Sequence, residues 1–356
     1  ANGDDSAIAV GISADGDVFV TGRSTSAPGI DGIATLKYDG STGSRAWISR
    51  LDLPSVEVVD IDIDAAGNAH VTGKLQLDYL VVKYSGASGT QQWLTQYDGP
   101  QQGNDDPVEA AIDPSGNLIV TGVTQTNFQT VKFSGDSGLP VWNAVYDHAD
   151  DFPTAIAISA DGNVFVTGSS SGNGTREDFA TVKYVGGSGT EAWSARYNGA
   201  VENSDQPFAI AVSADGDVFV TGVSGLNGTN AAATIKYNGA TGVSDWSVNE
   251  PLPLGSDARG YSLSLDNSEN AIVAGIAFNG TNYDFLALKI DQDGVERWRH
   301  SFSGTAGGGD SAHAILVAPD QTLRLAGTAS TSNGQRICVQ KLIGDIYFAS
   351  GFETGP

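Results

Sequence analysis

The sequence is poor in cysteine, methionine, histidine and positive charge. Its 356 residues include one cysteine, four histidines and no methionine, and 42 acidic side chains stand against 18 basic ones, which gives a formal net charge of −24 at pH 7. The single thiol, Cys338, excludes an internal disulfide, and its apolar, strand-like surroundings indicate a small buried side chain. The acidity excludes a basic phosphate-binding surface, so nucleic acid is not an expected partner.

Long apolar runs are also absent. None approaches the roughly 20 residues that a membrane-spanning helix requires. The chain begins at Ala1 instead of a methionine and shows no segment like a signal peptide. We therefore expect the mature form of an exported protein, secreted or held at the cell surface after its signal peptide is removed.

The sequence does contain an internal repeat of roughly 50 residues. Its first hairpin is clearest in AIAVGISADGDVFVTG from Ala7 and AIAVSADGDVFVTG from Ala209, and the chain holds seven copies. In every copy a third strand ends near a lysine, and in the first six a tryptophan follows nine or ten residues later. The lysines are Lys37, Lys83, Lys132, Lys183, Lys236, Lys289 and Lys341, and the tryptophans are Trp47, Trp93, Trp142, Trp193, Trp246 and Trp298.

These patterns predict an all-β fold. Short alternating runs of β-branched and aromatic residues, separated by Asp-Gly, Ser-Gly and Asn-Gly turns, indicate four antiparallel strands per copy, and helix should be nearly absent. Seven such units predict a seven-bladed β-propeller of four-stranded antiparallel blades, because radial repetition leaves few open sheet edges. We expect one domain, 1–356, with blades near 1–54, 55–104, 105–150, 151–204, 205–256, 257–309 and 310–356.

Two kinds of turn are predicted from glycine positions. In turns such as ADGD and PSGN, a three-residue loop with a left-handed glycine is expected to join the first and second strands. Asn-Gly-Thr sequences beginning at Asn173, Asn227 and Asn279 match the glycosylation signal. Because they occupy the same loop of successive copies, an Asn-Gly hairpin turn is the favoured interpretation.

The patterns DGNVFVTG, DFATVKY and GTEAWSARY resemble the bacterial seven-bladed propeller repeat family known as SBBP repeats, over nearly the whole chain. The closing IYFASGFE, 346–353, resembles a short C-terminal signature of exported proteobacterial proteins. The family resemblance implies an extracellular or cell-envelope propeller, but no particular reaction, because the family has no common catalytic motif. IYFASGFE replaces the missing fourth strand of the seventh copy, and either completes that blade or pairs with another subunit.

Residues that recur in every copy are expected to be structural. The repeated lysines should lay their methylene stems along an aromatic ring and point the ammonium at a carboxylate, for which the aspartate before the first strand is a candidate. These aspartates have two interpretations, which are turn capping between blades and a ring of carboxylates for Ca²⁺. They are Asp5, Asp105, Asp151, Asp205 and Asp310.

Residues that break the repeat are the candidate site. Asp60, Asp62 and Glu109 lie in first strands where other copies have Ala, Gly or Ser. A three-residue turn places Asp62 opposite His70, so we predict a cluster of three acids and one histidine. The cluster either binds a cation or performs acid/base chemistry on a glycan, or it is simply a hydrated channel wall.

The sequence has no Ser-His-Asp order, nucleophile elbow, phosphate-binding glycine loop or Cys/His metal motif. We therefore expect a non-enzymatic secreted or cell-surface propeller, without a cofactor unless Ca²⁺ binds, that binds a glycan or protein partner or assembles with itself through its C-terminal segment. The alternative is a carbohydrate-active enzyme, a polysaccharide lyase or hydrolase, that uses the acidic cluster.

Overall fold

A computed structural model describes residues 4–27, 30–100, 103–172, 176–201, 203–226, 228–250, 257–304, 307–332, 334–343 and 347–348. All regular secondary structure within these ranges is β-strand, which confirms the predicted class. The strands form seven antiparallel sheets of four, each with its strands in chain order, and we call these sheets blades 1 to 7. No helix in the described part of the chain could span a membrane.

The strands have the following bounds. Blades 1 and 2 consist of β1 Asp5–Ile12, β2 Val18–Ala27, β3 Ile30–Tyr38, β4 Arg45–Asp52, β5 Val56–Ile63, β6 Ala69–Leu75, β7 Asp78–Tyr84 and β8 Gln91–Tyr97. Blades 3 and 4 consist of β9 Asp105–Ile112, β10 Leu118–Thr124, β11 Asn127–Phe133, β12 Pro140–Tyr146, β13 Asp151–Ile158, β14 Val164–Ser171, β15 Glu177–Tyr184 and β16 Glu191–Tyr197. Blades 5 to 7 consist of β17 Asp205–Val212, β18 Val218–Leu226, β19 Thr229–Tyr237, β20 Ser244–Glu250, β21 Ala258–Leu265, β22 Ala271–Phe278, β23 Tyr283–Ile290, β24 Glu296–Phe302, β25 Ser311–Val317, β26 Leu323–Thr331, β27 Gly334–Ile343 and β28 Tyr347–Phe348.

The chain divides into two compact units. Unit 1 contains Ala1–Val164 and Tyr184–Ala192, and unit 2 contains Phe165–Lys183 and Trp193–Pro356. In both units the buried core consists of apolar side chains from neighbouring sheets. Blades 1 and 2, for example, bury Phe19 and Ile33 together with Val71 and Leu80. The prediction of one domain over the whole chain stays a prediction.

The turn between the first two strands has the predicted form. In blade 1 the Ser13 N–H donates to the Asp17 carbonyl oxygen at 3.0 Å, and the Gly16 N–H donates to the Ser13 carbonyl oxygen at 2.9 Å. Gly16 has φ 85, in the left-handed region where a Cβ is unfavourable. The same turn in blade 2 places Gly67 at φ 79 and pairs Asp62 with His70, as predicted.

A β-bulge interrupts the first strand at the same place in six blades. One extra residue is inserted where the first strand pairs with the repeated glycine of the second strand and the residue before it, so the register shifts there. The second-strand glycine at this step touches the bulged backbone, since a Cβ on Gly22 would collide with the Ser6 carbonyl oxygen. The bulge residues are Ile8, Val59, Val108, Phe208, Tyr261 and His313.

The repeated lysine and tryptophan hold neighbouring blades together. Lys37 Nζ and Trp47 Nε1 both donate to the carbonyl oxygen of Gly86 in the next blade, each at 3.0 Å. Blades 2, 3 and 4 repeat this arrangement, which we call the Lys–Trp latch. Its acceptors there are Gly135, Gly186 and Gly239.

The predicted carboxylate partner of these lysines is wrong. Lys37 Nζ lies 2.8 Å from an oxygen of Asp17, in the turn after β1, and not near Asp5 at the start of that strand. The reason is topological, because the end of an antiparallel third strand lies beside the first turn, whereas Asp5 lies at the other end of the sheet. The turn aspartates that pair with lysines are Asp17, Asp64, Asp113, Asp217 and Asp266. The predicted aromatic contact is confirmed for Lys37, Lys183 and Lys236, whose ammonium groups lie over phenylalanine rings.

The closing segment completes blade 7. β28 pairs with β27 through Leu342–Phe348 and Ile343–Tyr347, so two residues supply the fourth strand that the repeat lacks. This confirms that IYFASGFE contributes to the last blade. The rest of that signature, 346 and 349–353, lies outside the described residues.

Candidate functional site

Asp60 and Glu109 both accept hydrogen bonds from the next blade. Each follows the bulge of its first strand. Asp60 Oδ2 accepts the Ala110 N–H at 3.2 Å, and its Oδ1 accepts the Ile61 N–H at 2.8 Å. Glu109 Oε2 accepts the Ile156 N–H at 2.7 Å. The first strand is the edge of its blade, so these carboxyls satisfy backbone N–H groups that no strand pairs.

Unit 2 uses the same position in the same way. Ser262 also follows a bulge, and its Oγ accepts the Ile315 N–H of the next blade at 3.1 Å. A hydroxyl therefore performs in blade 6 what carboxyls perform in blades 2 and 3. The position has a structural role that does not require an acid.

The three acids lie close enough to influence one another. Burial raises the pKa of Asp62 well above its usual range, and the charges of Asp60 and Glu109 raise it further. Burial also raises the pKa of Asp60, and raises that of Glu109 to about 7 despite the bond from Ile156. Asp62 Oδ2 is buried and has no hydrogen-bond partner among the described residues. The structure thus brings Asp60, Asp62 and Glu109 together as an acidic cluster.

His70 does not join that cluster chemically. Although its backbone lies opposite Asp62, its ring has no exposed surface, and Nε2 lies 3.2 Å from Asp64 Oδ2. The ring also meets Trp93 edge-on, with centroids 5.6 Å apart. Burial and the ammonium of Lys83 lower the pKa of His70 to about 4, against the influence of Asp64. A neutral, enclosed imidazole cannot contact a substrate.

Asp64 is the partner that sequence reasoning missed. Burial opposes its ionisation, but hydrogen bonds from Asn68 and Lys83 hold its pKa well below the usual range. The signal was present in the repeat, because the turn aspartate stands first in DAAGN and last in SADGD. Either end of the turn brings a carboxylate to the repeated lysine.

The five aspartates before the first strands lie in separate blades and bond to backbone N–H groups. Asp205 is representative, because its Oδ2 accepts the Gly199 N–H at 2.7 Å and its Oδ1 accepts the Gly225 N–H at 3.0 Å. Turn capping, one of the two interpretations above, is therefore an observed contact. The N–H donors to the other four, Asp5, Asp105, Asp151 and Asp310, belong to Thr25, Gly99, His148 with Ala149, and Gly304 with Ser330.

A row of aromatic bulge residues in unit 2 was also missed. The rings of Phe208 and Tyr261 have centroids 5.4 Å apart, and Tyr261 stacks on His313 at 6.0 Å with 14° between the planes. Phe208 and Tyr261 are half-buried and His313 is exposed. We call these three residues the aromatic row. Comparing the repeats at the bulge would have found it, because blades 1 to 3 have aliphatic residues there.

Only one of the three glycosylation-type sequences can be described in full. Asn279 Oδ1 accepts the Thr281 N–H at 2.8 Å, and Nδ2 donates to Asp284 Oδ2 at 2.8 Å. The Asn279 side chain thus organises the turn between β22 and β23. Asn173 and Asn227 lie outside the described residues.

Comparison with protein families identifies the repeat. Residues 146–174 match the family model SBBP, described as a beta-propeller repeat. This stretch carries the SBBP repeat. The resemblance noted from the sequence is therefore confirmed over these residues. A search of curated proteins finds no match.

Solved structures show the fold around the SBBP repeat. BamB from Moraxella catarrhalis is 14% identical, with a TM-score of 0.54, over 95% of this chain and 86% of that one. Sqt1 from Chaetomium thermophilum, bound to the N-terminus of the ribosomal protein L10, is 14% identical with a TM-score of 0.64, over 95% and 84%. The Dos1 propeller is 7% identical with a TM-score of 0.61, over 93% and 92%. At such identities the likeness shows the fold alone, a β-propeller, as predicted.

Proposed function

We propose that this SBBP-repeat propeller is a non-enzymatic, extracellular or cell-surface scaffold that binds a neutral glycan on its aromatic row. The observation that carries the proposal is the row itself, three aromatic side chains in contact on successive first strands. The sugar C–H groups of a glycan pack against aromatic rings, and half-exposed rings provide apolar area with few rotatable bonds.

Polar side chains lie beside the row, as orientation of a sugar would require. Arg259 stands two residues before Tyr261 and pairs with Asp257 at 3.2 Å. Asp257 also accepts the Tyr283 hydroxyl at 2.8 Å. Ser311 Oγ lies 2.7 Å from His313 Nε2 at the exposed end of the row. A net charge of −24 disfavours an anionic polysaccharide, so the proposed glycan is neutral.

The contacts of the acidic cluster favour a binding function over a catalytic one. Both oxygens of Asp60 accept backbone N–H groups, and Glu109 accepts one, so these carboxyls have structural partners. His70 has no exposed surface through which to act as a general acid or base. The raised pKa values of the cluster follow from burial and mutual repulsion, without a substrate.

The test is a calorimetric titration of the purified chain with each of three oligosaccharides, cellohexaose, maltohexaose and chitohexaose. We expect saturable binding of at least one of them, which Tyr261→Ala weakens about tenfold or more, or about 1.4 kcal/mol. Phe152→Ala is the matched control, because Phe152 is an exposed aromatic of unit 1 outside the row. Its affinity should equal that of the wild type.

Three results would count against this function. Absence of binding to all three oligosaccharides, or equal affinity in Tyr261→Ala, removes the aromatic row as the site. New reducing ends or unsaturated products that disappear in Glu109→Gln would instead establish the enzyme alternative.

A further inference from the structure

Three carboxylates in unit 1 converge at one point. One ligand oxygen from each of Asp78, Asp98 and Asp105 lies within 4.8 Å of the other two, and no other such group of acids, histidines or cysteines occurs among the described residues. Asp98 is exposed, Asp78 is half-buried and Asp105 has no exposed surface. The group therefore extends from solvent into the protein, which provides an entry path for an ion.

A buried glutamine provides the second, independent observation. Gln129 has no exposed surface, and neither its Oε1 nor its Nε2 has a hydrogen-bond partner among the described residues. A Cβ on Gly99 would lie 2.7 Å from Gln129 Nε2 and within 3.0 Å of both Asp105 oxygens, so the amide and this carboxylate meet around one point. Because neither amide atom is bonded, turning the amide to present Oε1 breaks no hydrogen bond.

The repeat does not explain this glutamine. Gln129 lies opposite the second-strand Gly122, and the residues at that place in other blades are small or apolar. Packing therefore does not require a polar side chain here. The counterparts are Ala34, Leu80, Ala233, Leu286 and Cys338.

Asp105 also differs from its counterparts. Asp205 and Asp310 use both oxygens to accept backbone N–H groups, and the second group comes from the end of their second strands, at Gly225 and Ser330. In blade 3 the second strand ends one residue before this position, at Thr124, and the N–H of the equivalent Gln125 donates to the Asn104 carbonyl oxygen instead. Blade 3 thus supplies no such donor, so Asp105 Oδ1 is buried without a partner among the described residues.

Charge and geometry favour one kind of ligand. None of the three carboxylates forms an ion pair within the described chain, so their mutual repulsion calls for an external cation. Two oxygens that bind one Ca²⁺ at about 2.4 Å lie at most about 4.8 Å apart, so the three carboxylate oxygens are close enough to share one ion. Three carboxylates with an amide oxygen favour Ca²⁺, which takes six to eight oxygen ligands, over Mg²⁺, which keeps several waters and binds through one or two carboxylates.

We propose that Asp78, Asp98 and Asp105, with the Gln129 side-chain oxygen, form a Ca²⁺ site between blades 2 and 3. Water completes the six to eight oxygen ligands that Ca²⁺ takes. The site is distinct from the ring of one aspartate per blade considered above, because Asp105 is its only member from that ring. It is also independent of the glycan proposal, which concerns unit 2.

Calcium titration of the chelator-treated chain tests the site. We expect one saturable site, with a Kd of roughly 10⁻⁴ to 10⁻³ M as in extracellular modules, and a melting temperature that rises with Ca²⁺. Asp98→Ala should weaken binding about tenfold or more without lowering the melting temperature of the calcium-free chain, because Asp98 is exposed and has no partner among the described residues. Asp136→Ala removes the same charge from an exposed turn of blade 3 and should bind as the wild type does.

A second variant separates ligation from general charge. Gln129→Leu places the residue of blade 2 at this position, removes no charge, and should also weaken Ca²⁺ binding. Absence of saturable binding, wild-type affinity in both Asp98→Ala and Gln129→Leu, or equal binding of Mg²⁺ would overturn the assignment.

Discussion

The first strands of the two units have the same backbone but different side chains. Both have the bulge and the same register against the second strand. In unit 1 the bulge residues Val59 and Val108 are aliphatic and acids follow them. In unit 2 the bulge residues are the aromatic row, and no acid follows.

This difference shows that a departure from a repeat is not in itself a catalytic site. The acids of unit 1 and Ser262 of unit 2 serve the same need, an acceptor for an unpaired edge N–H of the next blade. The aromatic row serves no such need, since its rings contact one another and retain exposed surface. The side-chain surface that stays exposed to a ligand therefore distinguishes the two regions better than the chemical type of their residues does.

The largest expected effect is a stabilisation by Asp62→Ala. Asp62 buries a carboxyl oxygen without a partner, and alanine is the residue of blades 3 and 5 at this position, Ala111 and Ala211. We expect the free energy of unfolding at pH 8, measured by urea denaturation, to rise by about 2 to 3 kcal/mol. The gain should shrink at pH 4, because a raised pKa means that the folded protein then holds the neutral acid.

The counterpart in unit 2 is the control. Ser264 lies at the position of Asp62 in blade 6, and Ser264→Ala should change the free energy of unfolding by less than about 0.5 kcal/mol. A loss of stability in Asp62→Ala at pH 8 would mean that this carboxyl has a favourable partner, and the contrast between the units would fail.

A smaller effect is expected from Glu109→Gln, in the pH dependence of the free energy of unfolding. The folded pKa of Glu109 is about 7 against an ordinary 4.5, so the folded state holds a proton that the unfolded state has lost between these values. Its contribution to stability therefore falls as pH rises from about 4.5 to about 7 and is constant above. The wild type should lose about 1 to 2 kcal/mol relative to Glu109→Gln across this window, after allowance for partial exposure.

The comparison of wild type and variant is needed because the contribution of His70 to stability changes with pH in the opposite direction. Its pKa is lowered to about 4 from 6.5, so its contribution rises over pH 4 to 6.5 in both proteins and cancels in the difference. Parallel pH profiles for the wild type and Glu109→Gln would show that Glu109 titrates normally.

The fold was predictable because the same pattern of strands and turns occurs in all seven copies of the repeat. Alternation, turn glycines and the recurring lysines and tryptophans all indicate the same four-stranded unit. The opposition of Asp62 and His70 also followed from the turn, since a three-residue loop fixes the register. Register, however, specifies which backbones face each other and not which side-chain atoms bond.

The site was less predictable because its contacts cross between blades. That Asp60 reaches the Ala110 N–H, and Glu109 the Ile156 N–H, depends on the packing of adjacent sheets. The bulge changes which residue of the first strand faces the next blade. No local pattern within one strand reveals that change. The unpartnered Gln129 is likewise visible only once its neighbours Gly99 and Asp105 are located.

The smallest expected effect is that of Ser262→Ala, which tests whether the edge acceptor is structural in both units. Removing the hydroxyl leaves the Ile315 N–H without its partner, and the free energy of unfolding should fall by about 1 kcal/mol. Hydrogen exchange should locate the loss, because the Ile315 amide loses protection while amides of blade 2 do not.

Ala209 follows the bulge in blade 5 without a polar group, so Ala209→Gly is a matched truncation that removes no acceptor. Unchanged exchange at Ile315 in Ser262→Ala would show that the acids of unit 1 are not explained by this structural role, and would return Asp60 and Glu109 to consideration as functional groups.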